Sequence, residues 1–130
     1  MDKTSGVAST AVIYHNPACG TSRSVLASLR AAGLEPRVVE YLDQPPDRET
    51  LKSLLKLMGR NVREILRKRG TPYEELGLDR ADLNDDAIFD AIAAHPILIE
   101  RPIVVIGESA ALCRPAELVN ALIAAEGKSS

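Results

Sequence analysis

Apolar residues fall along this chain in short runs whose period changes from segment to segment. AVIYH (11–15) is a compact apolar run and predicts a buried strand. In TSRSVLASLRAAG (21–33), Val25, Leu26, Leu29 and Ala32 recur on one helix face, and Gly33 ends the pattern. PRVVEYL (36–42) is rich in β-branched residues and reads as a second strand. Pro45 and Pro46 then break the chain. Asp47 can cap a helix whose apolar positions are Leu51, Leu54, Leu55 and Met58, with Gly59 at its end.

The basic stretch RNVREILRKRG (60–70) offers Val62, Ile65 and Leu66 as the apolar face of a further helical segment. Asn84 can cap DDAIFDAIAAH, where Ile88, Phe89 and Ile92 point one way. RPIVVIG (101–107) is strongly strand-like and ends in a glycine turn, after which SAALCR can pair back as a hairpin. Pro115 suits the first turn of a last helix carrying Leu118, Val119, Leu122 and Ile123. The order is β-α-β, a helical stretch, then β-β-α. A β-α-β start calls for two parallel strands joined by a right-handed crossover. The closing hairpin and helix complete a four-stranded mixed sheet with helices on both faces, an α/β architecture of the thioredoxin-like plan. The expected organisation is a loose tail at 1–10, one domain over 11–125 with a helical insertion at about 47–95, and a second tail at 126–130.

Composition changes this picture little. A chain of 130 residues fits one domain and buries roughly two-thirds of its unfolded surface, so it needs neither disulfide nor metal for a core. Sixteen basic and 18 acidic residues leave a net charge of -2, which speaks against nucleic acid or a polybasic membrane contact as partner. No apolar run reaches the roughly 18 residues of a membrane span, and MDKTSGVAST lacks the apolar core of a signal peptide. A cytoplasmic location is therefore expected, where both cysteines, Cys19 and Cys113, stay reduced.

The chemistry concentrates in YHNPACGTSRS (14–24). Cys19 falls between a strand and the start of a helix, where unpaired backbone N–H groups and the positive end of the helix dipole stabilise a thiolate and attract oxyanions. Gly20 allows close approach of the backbone, and Thr21 and Ser22 supply hydroxyl donors. A buried structural cysteine is the alternative for this position. The spacing is C-x-x-S, so this is no dithiol pair of the C-x-x-C kind. It is also no tyrosine-phosphatase loop, because the position six residues after the cysteine is Val25 and the arginine is Arg23. A lone thiol cannot resolve its own intermediate and calls for a second thiol from elsewhere. His15 and His95 are far apart in sequence and form no ligand pair of ordinary spacing with the cysteines, so no metal is expected.

YHNPACGTSR, RPIVV and LCRP, in that order and at these separations, resemble the glutaredoxin-linked arsenate reductases, and MGRNVREILRKRG, PYEELGL and HPILIERPIVV match the middle of that family. The similarity runs from about Val12 to about Ile123. It implies that Cys19 attacks arsenate at arsenic, that glutathione, as cosubstrate, reduces the adduct, and that glutaredoxin resolves the mixed disulfide. It further implies that Arg67, Arg101 and Arg114 bind the oxyanion, that His15 adjusts the ionisation of Cys19, and that Pro102 holds the place of a cis proline facing the cysteine. No resident cofactor is implied. Planar guanidinium groups suit a tetrahedral dianion through paired hydrogen bonds. Two other readings stay open: an Spx-like regulator binding RNA polymerase, against whose C-x-x-C switch Ser22 speaks, and a glutathione-linked thiol oxidoreductase with another substrate. Cys113, next to Arg114, is expected to be a partly buried neighbour of the site.

Overall fold

The alternation of burial along AVIYH, with Ala11, Ile13 and His15 inward, comes from the period of two of an extended chain. It makes β1 (Ala11–His15) the hub of a four-stranded sheet of order β2-β1-β3-β4. The computed structural model describes the backbone of residues 11–129 and the side chains of residues 11–125, so the tail expected at 1–10 lies outside the described residues. β2 (Arg37–Glu40) runs parallel to β1, while β3 (Ile103–Ile106) lies antiparallel to β1 and β4 (Ser109–Leu112) antiparallel to β3. The register sets Ile13 opposite Val38 on one side and Val104 on the other, with Ala111 beyond it, a row of apolar side chains on one face. The mixed sheet and its β-α-β and β-β-α halves match the sequence pattern.

Helix α1 (Gly20–Ala31) returns the chain from β1 to β2, and α4 (Leu118–Ser129) follows β4. The two helices pack against each other. Val25 and Leu29 from α1 and Val119 and Leu122 from α4 form one core cluster with Ala11, Ile13, Val104, Ile106 and Cys113. Removing the side chain of a wholly buried residue such as Leu29 costs about 2–5 kcal/mol by the usual scale. α1 stops where Gly33 adopts a positive φ of 88°, and the Leu34 N–H bonds the Leu29 carbonyl. The α4 backbone runs on through residues expected to form the C-terminal tail. Pro115 does not sit inside α4 as its sequence position suggested. Leu118, Val119 and Asn120 donate N–H bonds to Pro115, Ala116 and Glu117, tight turns that lead into the helix.

Leu42–Glu100 gathers into a compact unit of its own. It contains α2 (Arg48–Met58), a 3-10 turn at Val62–Ile65, α3 (Asp85–Ala94) and a second 3-10 turn at Pro96–Leu98. The expected caps form: Asp47 accepts from the Thr50 N–H at 2.8 Å, and Asn84 from the Ala87 N–H at 2.9 Å. Arg48 joins α2 to α3 through Asp86 and Asp90.

Two expectations are corrected here. Within 60–70 the helical segment is only one capped 3-10 turn, with Val62, Ile65 and Leu66 buried as expected, and it goes no further because Leu66 bridges Ile99 and the backbone N–H groups of Arg67 and Glu100 bond the carbonyls of Leu98 and Ile65. The same bonds extend the inserted unit beyond the 47–95 span that periodicity suggests. Inside the unit Arg63 donates to the carbonyls of Leu78, Arg80 and Leu83. Among the described residues no helix is long and apolar enough to cross a membrane.

Candidate active site

β1 delivers the chain into a tight loop, His15 to Cys19, that its own polar groups close. The Asn16 side chain accepts from the Ala18 N–H at 2.9 Å, and the Asn16 carbonyl accepts from the Cys19 N–H at 3.0 Å. Arg23, which is exposed, donates from Nη1 to the Pro17 carbonyl at 2.8 Å and braces the loop from outside. Cys19 thereby takes the capping position of α1, with φ -96° and ψ 121°. The helix begins at Gly20, one residue before the periodic pattern suggested.

Ser22 is fully buried in the first turn. Its Oγ lies 2.6 Å from Nδ1 of His15 and accepts from the Asn16 N–H at 3.1 Å, so one hydroxyl joins the strand end, the loop and the helix. His15 is buried, and burial lowers its pKa, opposed by Glu40 and aided by Arg30 and Arg23. The imidazole thus favours its neutral form, and its hydrogen-bond partner is the Ser22 hydroxyl.

β3 and the chain after β4 bring two arginines to Cys19. Arg101 precedes Pro102 across a cis peptide bond. The Cys113 N–H donates to the Pro102 carbonyl at 2.9 Å, which continues the β3–β4 ladder by one bond and aims the next residue, Arg114. Arg114 donates from Nη1 to the Arg101 carbonyl at 3.2 Å, and the same nitrogen stands 3.6 Å from the Cys19 sulfur. Arg101 is buried to 9% exposure.

These neighbours govern the thiol. Burial alone would raise the Cys19 pKa, but the Ser22 backbone N–H and the guanidinium groups of Arg101 and Arg114 outweigh it, and the thiol lies below its ordinary value. The rate of Cys19 alkylation by iodoacetamide is therefore expected to rise with pH and level off, with a midpoint below the roughly 8.5 of a free thiol. Arg114→Gln removes a cation beside the thiolate, which disfavours the charged form and moves that midpoint up. A midpoint that stays put in the variant would exclude Arg114 from thiol activation.

Cys113 is the opposite case. It is wholly buried, deeper than the sequence suggested, and burial pushes its thiol up to about 12. At neutral pH it holds its proton and cannot act as a nucleophile. Cys113→Ala is expected to keep most activity, and mass-spectrometric mapping of enzyme quenched during turnover should reveal no Cys19–Cys113 disulfide. That bridge as the main trapped species would instead mean an internal resolving thiol.

Arg67 belongs to the Leu42–Glu100 unit. There its Nη1 donates to Glu100 at 2.8 Å, its Nε to the Arg69 carbonyl at 3.1 Å and its backbone N–H to the Leu98 carbonyl at 2.7 Å. Thr21 is half-buried on the outer side of α1 and Gly20 is exposed. Among the described residues no three His, Cys, Asp or Glu side chains come together as a metal-ligand set.

One residue of the site was not singled out from sequence. Tyr41, just past β2, is wholly buried. Burial raises its hydroxyl pKa, while Arg101 and the Asn16 amide, which hydrogen-bond it, pull the other way, and the Cys19 charge is felt there too. A tyrosine closing a run of apolar strand residues was the available signal, because a buried phenol needs a polar partner.

The ensemble is a low-pKa thiol at a helix start with two arginines on it, an arrangement suited to nucleophilic attack on an anion. The ArsC family model matches residues 14–122. A protein of Rhizobium meliloti strain 1021 described as an arsenate reductase is 52% identical over 110 residues, covering 85% of this chain and 79% of that one. An arsenate reductase of Escherichia coli K12 is 51% identical over 111 residues with the same coverage. The solved structure of an arsenate reductase from Vibrio cholerae superposes with a TM-score of 0.83 at 47% identity, covering 88% of this chain and 98% of that one. A family match over most of the length, joined to relatives of this identity, makes the chain a member of the ArsC family.

Proposed function

We propose that the chain reduces arsenate to arsenite through Cys19, with glutathione as reductant and glutaredoxin as the protein that restores the thiol. One observation carries the chemical core of this reading: the Arg114 guanidinium at 3.6 Å from the sulfur of a cysteine whose pKa is lowered. A cation there holds the thiolate before substrate arrives and offsets the repulsion between thiolate and dianion as it enters.

In the first step the Cys19 thiolate attacks arsenic. A sulfur–arsenic bond forms, and one arsenate oxygen takes up two protons and leaves as water, so arsenic stays at +5. In the second step a glutathione thiolate attacks the Cys19 sulfur. The electron pair of the sulfur–arsenic bond passes to arsenic, which falls to +3, takes up protons and leaves as arsenite. Cys19 and glutathione remain joined as a mixed disulfide. A glutaredoxin thiolate then attacks the glutathione sulfur and releases the Cys19 thiolate. Arg101 and Arg114 supply donors to the oxyanion, and Arg67 is assigned as a third donor on the family pattern. Ser22 and His15 keep the loop in shape.

The test is arsenite formation from arsenate with both glutathione and glutaredoxin, compared with omission of each. Turnover is expected only with both present. Equal turnover with a thioredoxin system and no glutathione would replace this reductant with another.

A further inference from the structure

An open groove of about 710 Å³ is lined by residues that follow Cys19 and Arg114 in the chain, and its volume falls within the roughly 300–1,000 Å³ range of small-molecule sites. One wall is the outer side of α1, with Gly20, Thr21, Arg23 and Ser24, and the other is the approach to α4, from Pro115 to Glu117. Both walls start at the thiol site: Gly20 follows Cys19 in the chain, and Pro115 follows Arg114.

Its chemistry differs from that of the oxyanion donors. It carries one charge of each sign, Arg23 and Glu117, with the Thr21 and Ser24 hydroxyls and small side chains between them. A compact dianion would be repelled by Glu117, whereas an extended zwitterion finds a partner for each end. Arg23 is already oriented, since its Nη1 bonds the Pro17 carbonyl. Gly20 adds a second observation. Its φ is not positive, and a Cβ there would meet nothing nearer than Arg23 Nη2 at 3.7 Å, an ordinary contact. Neither backbone strain nor crowding demands glycine, and its effect is to leave the groove open where it meets the thiol.

We propose that this groove seats the thiol tripeptide that attacks the arsenic-bearing Cys19, with Arg23 against one of its carboxylates and Glu117 against its α-ammonium group. The proposal rests on glutathione being the reductant. Held there, the tripeptide carries its thiol beside Gly20, next to the sulfur it must attack, and the step is the sulfur–sulfur bond formation and two-electron transfer to arsenic described above.

S-methylglutathione, a thioether unable to react, tests the seat directly. Added to the full-length protein, it is expected to shift the amide NMR signals of Thr21, Ser24 and Glu117. Two variants test its use. Glu117→Lys repels the ammonium group, and Ala27→Glu, one helical turn from Arg23, competes for the guanidinium. Each is expected to raise the KM for glutathione about three- to fivefold, the scale of an exposed charge pair, while Cys19 alkylation keeps its wild-type rate. A wild-type KM for glutathione in both variants overturns the proposal, as do S-methylglutathione shifts confined to other surfaces. A wild-type protein that reduces arsenate without glutathione overturns the reductant itself, and the occupant of the groove with it.

Discussion

Cys19→Ser is expected to abolish arsenite formation while arsenate still binds. Serine nearly matches cysteine in size and is a good helix cap, so α1 and its loop keep their shape. Its hydroxyl is not ionised at neutral pH, and neither Arg101 nor Arg114 can depress it into the useful range, so no bond to arsenic forms. The two arginines remain, and with them the donors proposed for the oxyanion. Arsenate protection against thermal unfolding, read beside a coupled arsenite assay, separates binding from chemistry. Retention of more than a few per cent of the wild-type rate by a folded variant would refute Cys19 as the nucleophile.

Lysine in place of Arg101, Arg114 or Arg67 should lower kcat/KM for arsenate by about tenfold or more, since a charge-assisted hydrogen bond is worth roughly 1.5–3 kcal/mol and about 1.4 kcal/mol is a decade in rate. The reason is geometric. Arg114 uses one nitrogen both to bond the Arg101 carbonyl, at 3.2 Å, and to approach the Cys19 sulfur, at 3.6 Å. A lysine ammonium keeps the charge and has three donors, but all sit on one nitrogen, so it cannot brace that carbonyl and present the planar, two-nitrogen fork to an oxyanion. Arg114→Lys, which keeps a cation beside the thiolate, should slow Cys19 alkylation less than Arg114→Gln does. Arg67→Lys, acting in the Leu42–Glu100 unit where Glu100 holds the guanidinium, should leave alkylation unchanged and reduce kcat more than it raises KM. Steady-state kinetics of the three variants decide this, and wild-type values throughout would remove the arginines from the reaction.

Sequence alone carried the local decisions. The period-two run of β1, the one-sided apolar positions of α1, α2 and α3, and the caps at Asp47 and Asn84 are encoded within a few residues of where they act, because periodicity and capping are short-range physics. The placement of Cys19 at a helix start was legible for the same reason. The roles proposed for Arg67, Arg101 and Arg114 rest on motif resemblance, since no local rule separates one arginine in Arg67-Lys68-Arg69 from the next. Tertiary structure alone decided the rest. Arg114 meets Cys19 across 95 positions because strand pairing and the Cys113–Pro102 bond aim it there. The helical segment within residues 60–70 stops after one 3-10 turn because Ile65, Leu66 and Arg67 pair with residues 98–100, which no local window contains. Cys113 became inert, and Tyr41 joined the site, through burial, a property of the whole packed core and not of any run of residues. Where an energy depends on neighbours brought from distant sequence, the pattern along the chain has nothing to read, and the fold supplies the answer.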